Sequence, residues 1–410
     1  MKTQLAILAG ITVAFISRTF RLGAGVTWAG EIALRIDKDI LPKLIPAGAK
    51  VILVAGTNGK TTTTKLLKAA LHDYHVVTNE SGANLLNGIV GSVLQQKPGE
   101  YYLLEVDENN LMKVTKEIAS PSARNDITIV LLNLFRDQLD RYGEVDKIAK
   151  EWENLENKGN LVINADDPQL AWLGKKLKGK VYYFGLGDEK YFLPKMQHAT
   201  DSIYCPKCGT RLKYQGFYFS HLGEYLCPKC GFEHPKNDKG YRGNEGNMAK
   251  IEGIYNYYNV LAALLTAQVL GIKNPDFSNF KPAFGRSEEV GGAKILLSKN
   301  PAGFNESLRT VINSDRKGPL LLVLNDRIPD GTDVSWIWDV DFENLTNYHE
   351  SIICSGDRVY DLALRLKYAS IPNIRIVTNL EEAVKGVAWI LPTYSAMLEV
   401  RKILTGKAIL

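Results

Sequence analysis

The stretch Val51-Ile-Leu-Val-Ala-Gly-Thr-Asn-Gly-Lys-Thr-Thr62 constrains this chain more than any other. An apolar run stops at Gly56-Thr57-Asn58-Gly59-Lys60-Thr61, and an amphipathic segment follows from Thr62 to about His72. That is a buried strand, a glycine-containing loop and a helix, in which loop N–H groups and the helix N-terminus can cradle phosphate oxygens. Lys60 is placed to reach the outer phosphates of a nucleotide, and the Thr61 hydroxyl to hold Mg2+. Val54 stands where the general G-x-x-x-x-G-K-[ST] pattern has its first glycine, and Gly56 gives instead the compact form G-T-N-G-K-T. A plain strand-to-helix turn is the competing reading, but Gly-Lys-Thr-Thr after a buried strand favours nucleotide binding.

From Lys50 onward, apolar runs alternate with helical stretches, which predicts a parallel α/β sheet. Candidate strands are 51–55, 75–78, 101–106, 127–132 and 160–163, with 181–185 as a further one. A helix is expected over 254–269, and 275–293 reads as a linker. A second α/β set follows at 294–297, 319–324, 350–354, 374–377 and 388–391. The 410 residues exceed one typical domain. The expected division is an N-terminal helical segment 1–45, an ATP-binding domain 46–288 and a C-terminal Rossmann-like α/β domain 289–410. A net charge of +5 over this length does not predict nucleic-acid binding, although it suits an anionic substrate or a membrane surface.

At the N-terminus, Leu5–Ile16 is almost wholly apolar. It is shorter than the roughly 20 residues that span a bilayer, and no convincing small-residue cleavage site marks it as a signal peptide. A packed helix is expected, with a helix resting on a membrane surface as the alternative. A glycine-rich turn at Leu22–Thr27 and a second helix to about Ile40 follow, and Pro42 and Pro46 read as closing that segment.

Four of the five cysteines form the pattern Cys205-x2-Cys208-x18-Cys227-x2-Cys230. This is zinc-ribbon spacing, with Gly209 and Gly231 permitting the tight knuckle turns. Four thiolates leave no coordination position for water, so Zn2+ would have a structural role, holding together an insert at 200–240 that is too small for its own core. A redox dithiol pair is the alternative. Paired cysteines of this kind point to a reducing, cytoplasmic compartment. The aromatics Tyr204, Tyr214, Phe217, Tyr218 and Phe219 read as cover for the ribbon itself, with nucleic-acid contact as the alternative.

Leu103-Leu-Glu-Val-Asp-Glu108 ends another expected strand in three acids, where a carboxylate can complete a Mg2+ shell beside Thr61. Further segments follow in order: Asn133-Leu-Phe-Arg-Asp-Gln-Leu-Asp-Arg-Tyr-Gly143, Asn164-Ala-Asp-Asp-Pro168, Asn256-Tyr-Tyr-Asn259 and Gly285-Arg-Ser-Glu288. With the compact loop, this series resembles the Mur ligases, the ATP-dependent peptidoglycan-precursor ligases related to folylpolyglutamate synthetase. The resemblance implies a central parallel-sheet P-loop ATPase domain, here with an inserted four-cysteine zinc ribbon, and a C-terminal α/β domain. It implies that Gly56, Thr57, Asn58, Gly59, Lys60, Thr61 and Thr62 hold ATP and that Asn256 and Asn259 approach the adenine. It makes Glu105 the first choice as Mg2+ ligand, Glu108 the second, and Arg286 a clamp on the transferred phosphoryl group.

Two departures narrow the resemblance. About 45 residues precede the sheet, too few for the domain that binds a UDP-linked precursor. The segment that in amino-acid-adding ligases carries an acid and a histidine reads Leu296-Leu-Ser-Lys-Asn-Pro301, with Leu296 at the acid position and Lys299 at the histidine position. These changes, the four-cysteine pattern, and the stretches Asp333–Glu343, Ser355–Tyr368 and Leu391–Tyr394 resemble the synthetase subunits of lipid II isoglutaminyl synthases. That subfamily implies ATP-dependent amidation of the D-glutamate α-carboxylate of the lipid II stem peptide at the membrane's inner face. Ammonia would come from a GatD-like glutamine amidotransferase subunit in a heterodimer. Asp333, with Asp339 as fallback, is implied to assist that partner's Cys–His pair, and the catalytic set is Lys60, Arg286 and Asp333. Two other readings stay open: a Mur or folylpolyglutamate-type ligase adding an amino acid, and a nucleic-acid-binding ATPase with a zinc ribbon.

Overall fold

The structure, a computed structural model, describes residues 1–20, 25–79, 82–118, 127–137, 145–156, 159–236, 251, 253–282 and 285–407. Residues 22–24 of the expected glycine-rich turn, 138–143 of the Asn133–Gly143 segment and 237–240 of the expected insert lie outside the described residues. Three helices come first: α1 (Lys2–Thr19), α2 (Val26–Ile36) and α3 (Ile40–Leu44). Pro42 lies inside α3, contrary to its expected role as a stop. It falls in the first turn, where a backbone N–H has no intrahelical acceptor to lose.

The first sheet is assembled from β1 (Lys50–Ala55), β2 (Val76–Thr78), β3 (Tyr101–Glu105), β4 (Ile127–Leu131), β5 (Asn160–Asn164) and β6 (Lys180–Phe184). Between these strands run α4 (Lys60–Ala70), α5 (Leu86–Leu94), α6 (Leu111–Ile118), α7 (Val145–Trp152) and α8 (Pro168–Lys176). The strand order is β2-β3-β1-β4-β5-β6, with each pair parallel. Alternation along β1 feeds two cores. Val51, Leu53 and Ala55 face α3, α5, α6, α7 and α8, whereas Ile52 and Val54 face α4 and α9 (Ile254–Val269). The N-terminal helices share the first core through Ala6, Ala33, Ile40 and Leu41. Where α2 crosses α5 the backbones nearly touch: a Cβ on Gly30 would sit 1.7 Å from the Asn87 carbonyl oxygen.

The second sheet contains β9 (Arg286–Val290), β10 (Ala293–Leu296), β11 (Leu320–Val323), β12 (Ile352–Ser355), β13 (Ile374–Ile376) and β14 (Trp389–Pro392), in the order β13-β12-β11-β14-β10-β9. Helices α10 (Pro301–Asn313), α11 (Val359–Tyr368) and α12 (Tyr394–Thr405) accompany it. β9 lies in the stretch read as a linker and pairs antiparallel with β10. Its charged Arg-Ser-Glu-Glu sequence hides an edge strand, but Gly291-Gly292, both at positive φ, is the hairpin turn that betrays it.

Between β6 and α9 stands the cysteine unit, a hairpin of β7 (Lys213–Phe219) and β8 (Leu222–Leu226). Tyr204 is exposed, and the other aromatics divide between two environments. Tyr214 packs with Tyr225 beside the cysteines, whereas Tyr218 and Phe219 enter the core between the first sheet and α9. The expectation that all of them cover the ribbon is therefore corrected: the hairpin is too thin to bury five rings, and the sheet offers a larger apolar surface.

Candidate functional site

β1 ends at the centre of its sheet, so the loop after it opens at the carboxyl end of the strands, where open α/β sheets bind ligands. Gly56 and Gly59 take φ of +136° and +90°. At Gly59 that φ itself favours glycine, and a Cβ there would also stand 2.1 Å from Asn259 Oδ1. Asn133 fixes the loop from β4: its Oδ1 accepts from Asn58 N at 2.8 Å and its Nδ2 donates to Asn58 O at 3.1 Å. The Thr57 hydroxyl donates to Phe135 O at 3.1 Å and accepts from Phe135 N at 3.0 Å.

Lys60 is the first residue of α4 and is buried. Its Nζ donates to Gly56 O at 2.6 Å and to Glu108 Oε2 at 3.0 Å. Burial works against its charge, but Glu108 and Glu105 outweigh that and raise its pKa above the ordinary lysine value. Thr61 Oγ1 donates to Glu105 Oε2 at 2.8 Å. Of the two sequence candidates for a metal carboxylate, Glu105 therefore stands beside the Thr61 hydroxyl, whereas Glu108 rests on Lys60. Asp107 lines the same cleft, and burial followed by repulsion from Glu108 raises its carboxyl pKa.

Two clefts meet at the loop. The first, about 740 Å³ with its open mouth, is lined by Asn58, Gly59, Thr62, Phe219, Tyr255 and Asn259. The second, about 1100 Å³ on the same basis, is lined by Thr57, Lys60, Thr61, Glu105, Asp107 and Glu108. Arg286, Leu297 and Lys299 line both. A long ligand can thus lie across the loop with an apolar, amide-lined end in one cleft and an anionic end in the other. Asn259 faces the first cleft, and its Nδ2 donates at 3.2 Å to Asn256, which is buried one turn behind. Asn256 thus reaches the cleft through Asn259.

The second sheet meets the loop at Asn300, the N-cap of α10. Its side-chain amide exchanges two hydrogen bonds with that of Asn58, at 3.0 and 3.3 Å. Lys299 pairs with Asp137. Leu296, at the position where an acid was expected in amino-acid-adding ligases, is buried against the first cleft. Asp333 lies apart from both clefts. It is exposed, and its oxygens accept from Ser335 N at 2.7 Å and Ser335 Oγ at 2.9 Å. Asp333 and Asp339 line a third cleft, with Arg136 and Trp336, and Asp339 pairs with Arg136 at 3.0 Å.

Sequence reasoning gave Asn133 and Asn300 no part in holding the loop and Phe219 no place in a cleft, and it missed Glu306 altogether. Only Asn300 carried a local signal, the Asn-Pro start of a helix. Glu306, on α10, lines the first cleft at 1% exposure. Its Oε1 accepts no hydrogen bond among the described residues, and Arg309 Nη1 stands 3.8 Å away. Burial pushes its carboxyl up to about 7, with Arg309 opposing. The unfolded chain releases this proton near the ordinary 4.5, so stability falls as pH rises from 4.5 to about 7, and the cost is complete above that. Glu306→Gln is expected to raise the unfolding free energy by about 3 kcal/mol at pH 8 and by almost nothing at pH 4, measured by urea titration.

The four cysteine sulfurs lie within 4.8 Å of one another, with Cys205–Cys230 at 3.6 Å and Cys208–Cys227 at 3.5 Å. A tetrahedral Zn2+ with bonds of about 2.3 Å has sulfur–sulfur edges of about 3.8 Å, so the donor set fits that ion. Each knuckle closes on a glycine: Gly209 N donates to Cys205 O and Gly231 N to Cys227 O. The buried Asp166 of the Asn164–Pro168 segment anchors the unit, accepting from Tyr258 and His234 while its carbonyl accepts from Gly223 N.

A compact phosphate loop on a parallel sheet, faced by an arginine and a helix start from a second α/β unit, is the arrangement of the Mur ligases. The fold agrees with solved structures. A pseudomurein peptide ligase type C from Methanothermus fervidus superimposes with a TM-score of 0.68 at 23% identity, covering 90% of this chain and 81% of that one. MurF ligase from Thermotoga maritima in complex with ADP gives 0.58 at 18% identity, covering 93% and 85%. Residues 54–226 match the Mur ligase middle domain, and residues 297–397 match the MurT ligase C-terminal domain. The MurT subunit of lipid II isoglutaminyl synthase (glutamine-hydrolyzing) from Streptococcus pneumoniae is 34% identical over 100% of this chain and 98% of its own length. Its counterpart from Staphylococcus aureus is 33% identical over 91% of each. The chain belongs to the MurT family of Mur ligases.

Proposed function

We propose that this chain is the synthetase subunit of a lipid II isoglutaminyl synthase, which amidates the D-glutamate α-carboxylate of a lipid-linked stem peptide with ATP and ammonia. One observation carries this reading: Lys60, Thr61, Glu105, Arg286 and Lys299 line a single anionic-ligand cleft, in a chain similar over its full length to glutamine-hydrolyzing synthase subunits. A carboxylate is a poor electrophile. Transfer of the ATP γ-phosphoryl group to it gives an acyl phosphate, ammonia attacks the carbonyl carbon, and inorganic phosphate leaves. Lys60 neutralises the outer phosphates on turning from Glu108, and Arg286 bears on the charge that develops on the transferred group. Thr61 and Glu105 would hold Mg2+, which supplies charge neutralisation between the phosphates. Asn259, backed by Asn256, reads the base. The reading assigns ATP binding to 46–288 with its Zn2+ ribbon, packed on the helices of 1–45, and closure over the acceptor to 289–410.

Ammonia has to come from a partner. Four cysteines converge on one another, and the fifth, Cys354, is fully buried in β12, where burial pushes its thiol up to about 12. Such a thiol is no glutaminase nucleophile. The partner is a GatD-like amidotransferase in a heterodimer, and exposed Asp333 is the acid offered to its Cys–His pair. Asp333→Asn should cut glutamine-dependent amidation by about 100-fold or more while leaving ammonium-dependent amidation unchanged. The lipid-linked acceptor places the reaction at the inner membrane face; among the described residues no helix is long and apolar enough to cross a membrane.

Acceptor labelled with oxygen-18 in its α-carboxylate tests the acyl phosphate. The reading predicts one labelled oxygen in the released phosphate for each amide formed. Unlabelled phosphate alongside amide formation would refute it.

A further inference from the structure

Helix α1 is built the wrong way round for a helix of a globular protein. Its buried positions are all small: Ala6, Gly10, Ala14 and Ser17 pack inward, Gly10 against Ala29 and Ala33 of α2. Large apolar side chains take the outer face, with Leu5 57%, Leu8 65%, Ile11 45% and Phe15 69% exposed. Their spacing of three and four residues sets them in one stripe opposite the small residues. Phe20 is 69% exposed at the end of α1, and Trp28 is 65% exposed in the first turn of α2. Helical geometry puts Lys2 on one border of the stripe and Arg18 on the other. The first 30 residues hold Lys2, Arg18 and Arg21 and not one acid, in a chain with 45 acids in all.

We propose that the outer face of α1, with Phe20 and Trp28, is a docking surface for an anionic lipid bilayer, on which the helix lies parallel to the membrane plane. Aliphatic side chains at the centre, aromatics at one end, basic residues at the borders and no acid are what a helix seated at the acyl–headgroup boundary requires. The stripe forms a ridge on a single helix, which suits a fluid lipid surface better than a protein groove. The choice of lipid rests also on the lipid-linked acceptor proposed above, since a docked enzyme searches for its acceptor in two dimensions. The helix stays peripheral, held to the protein by its small-residue face.

The test uses the full chain and two kinds of vesicle, equimolar phosphatidylglycerol with phosphatidylcholine, and phosphatidylcholine alone. Wild-type protein should co-sediment with the first at least 10-fold more tightly than with the second, and less so at high salt. The pair Phe15→Ser with Leu8→Ser should lower that affinity at least 10-fold with an unchanged melting temperature, because both residues are already exposed. The same variant should amidate a detergent-soluble, short-chain acceptor at the wild-type rate and a vesicle-embedded acceptor at least 10-fold more slowly. Vesicle binding that is absent, or present but insensitive to the pair, would overturn the proposal. So would a stripe that mediates a dimer or holds the amidotransferase subunit, seen as loss of either complex in sedimentation of the variant. Vesicle binding without amidation of any acceptor would leave the docking surface standing and refute the reaction instead.

Discussion

Replacing Lys60 with methionine should lower ATP-dependent amidation by about 1000-fold or more, the magnitude expected on losing a buried cation from the transferring phosphoryl group that it is proposed to face. The same change strands Glu108, whose carboxylate lies 3.0 Å from Lys60 Nζ with both side chains nearly inaccessible. Breaking one side of such a pair costs about 3–5 kcal/mol, so Lys60→Met alone confounds chemistry with folding. The double variant Lys60→Met with Glu108→Gln removes the orphaned charge. It should recover most of the melting temperature and none of the rate. If the double variant regained turnover, Lys60 would be a structural partner of Glu108 and not a phosphate ligand. Glu105→Gln supplies the contrast: it keeps the hydrogen bond from Thr61 and should weaken the response to Mg2+ while sparing the fold.

Loss of one thiol from the cysteine cluster should have the second large effect. Structural Zn2+ sites contribute of the order of 10 kcal/mol to small domains, and the unit that such a site would hold here reaches well beyond its knuckles. Tyr225 donates to the Ala165 carbonyl, His234 to Asp166, and Phe219 lines the first cleft. Cys208→Ser, or chelation, should therefore release the hairpin, raise amide exchange across 205–232, and weaken ATP binding by about 10-fold through loss of the Phe219 wall. Elemental analysis should find one zinc per wild-type chain. A metal-free variant with unchanged exchange and ATP affinity would contradict this role.

The central strands were legible because strands buried on both faces are continuous apolar runs. Their ends place Gly56–Thr61 and Glu105 without further information. What the sequence hid has definite physical causes. β9 is an edge strand of charged residues, so it lacks the apolar signature, and only its Gly-Gly turn marks it. Pro42 misled because proline breaks a helix everywhere except in its first turn. The partners of the loop, Asn133 at 75 residues from Asn58 and Asn300 at 242, come together only through the tertiary fold. Phe219 had an ordinary place in a ribbon until the sheet supplied a larger apolar surface, and Glu306 carries no local mark of the cleft it faces.

The central claim is that the cleft around Lys60 activates a carboxylate for ammonia, and acceptor-dependent ADP release tests it most directly. Purified chain, lipid-linked acceptor, ATP and Mg2+ should release one ADP per D-isoglutamine formed when ammonium is supplied. Free amino acids should give no product, and glutamine should serve only when the amidotransferase subunit is added. ADP release coupled to the incorporation of an amino acid, with none from ammonium, would contradict the account.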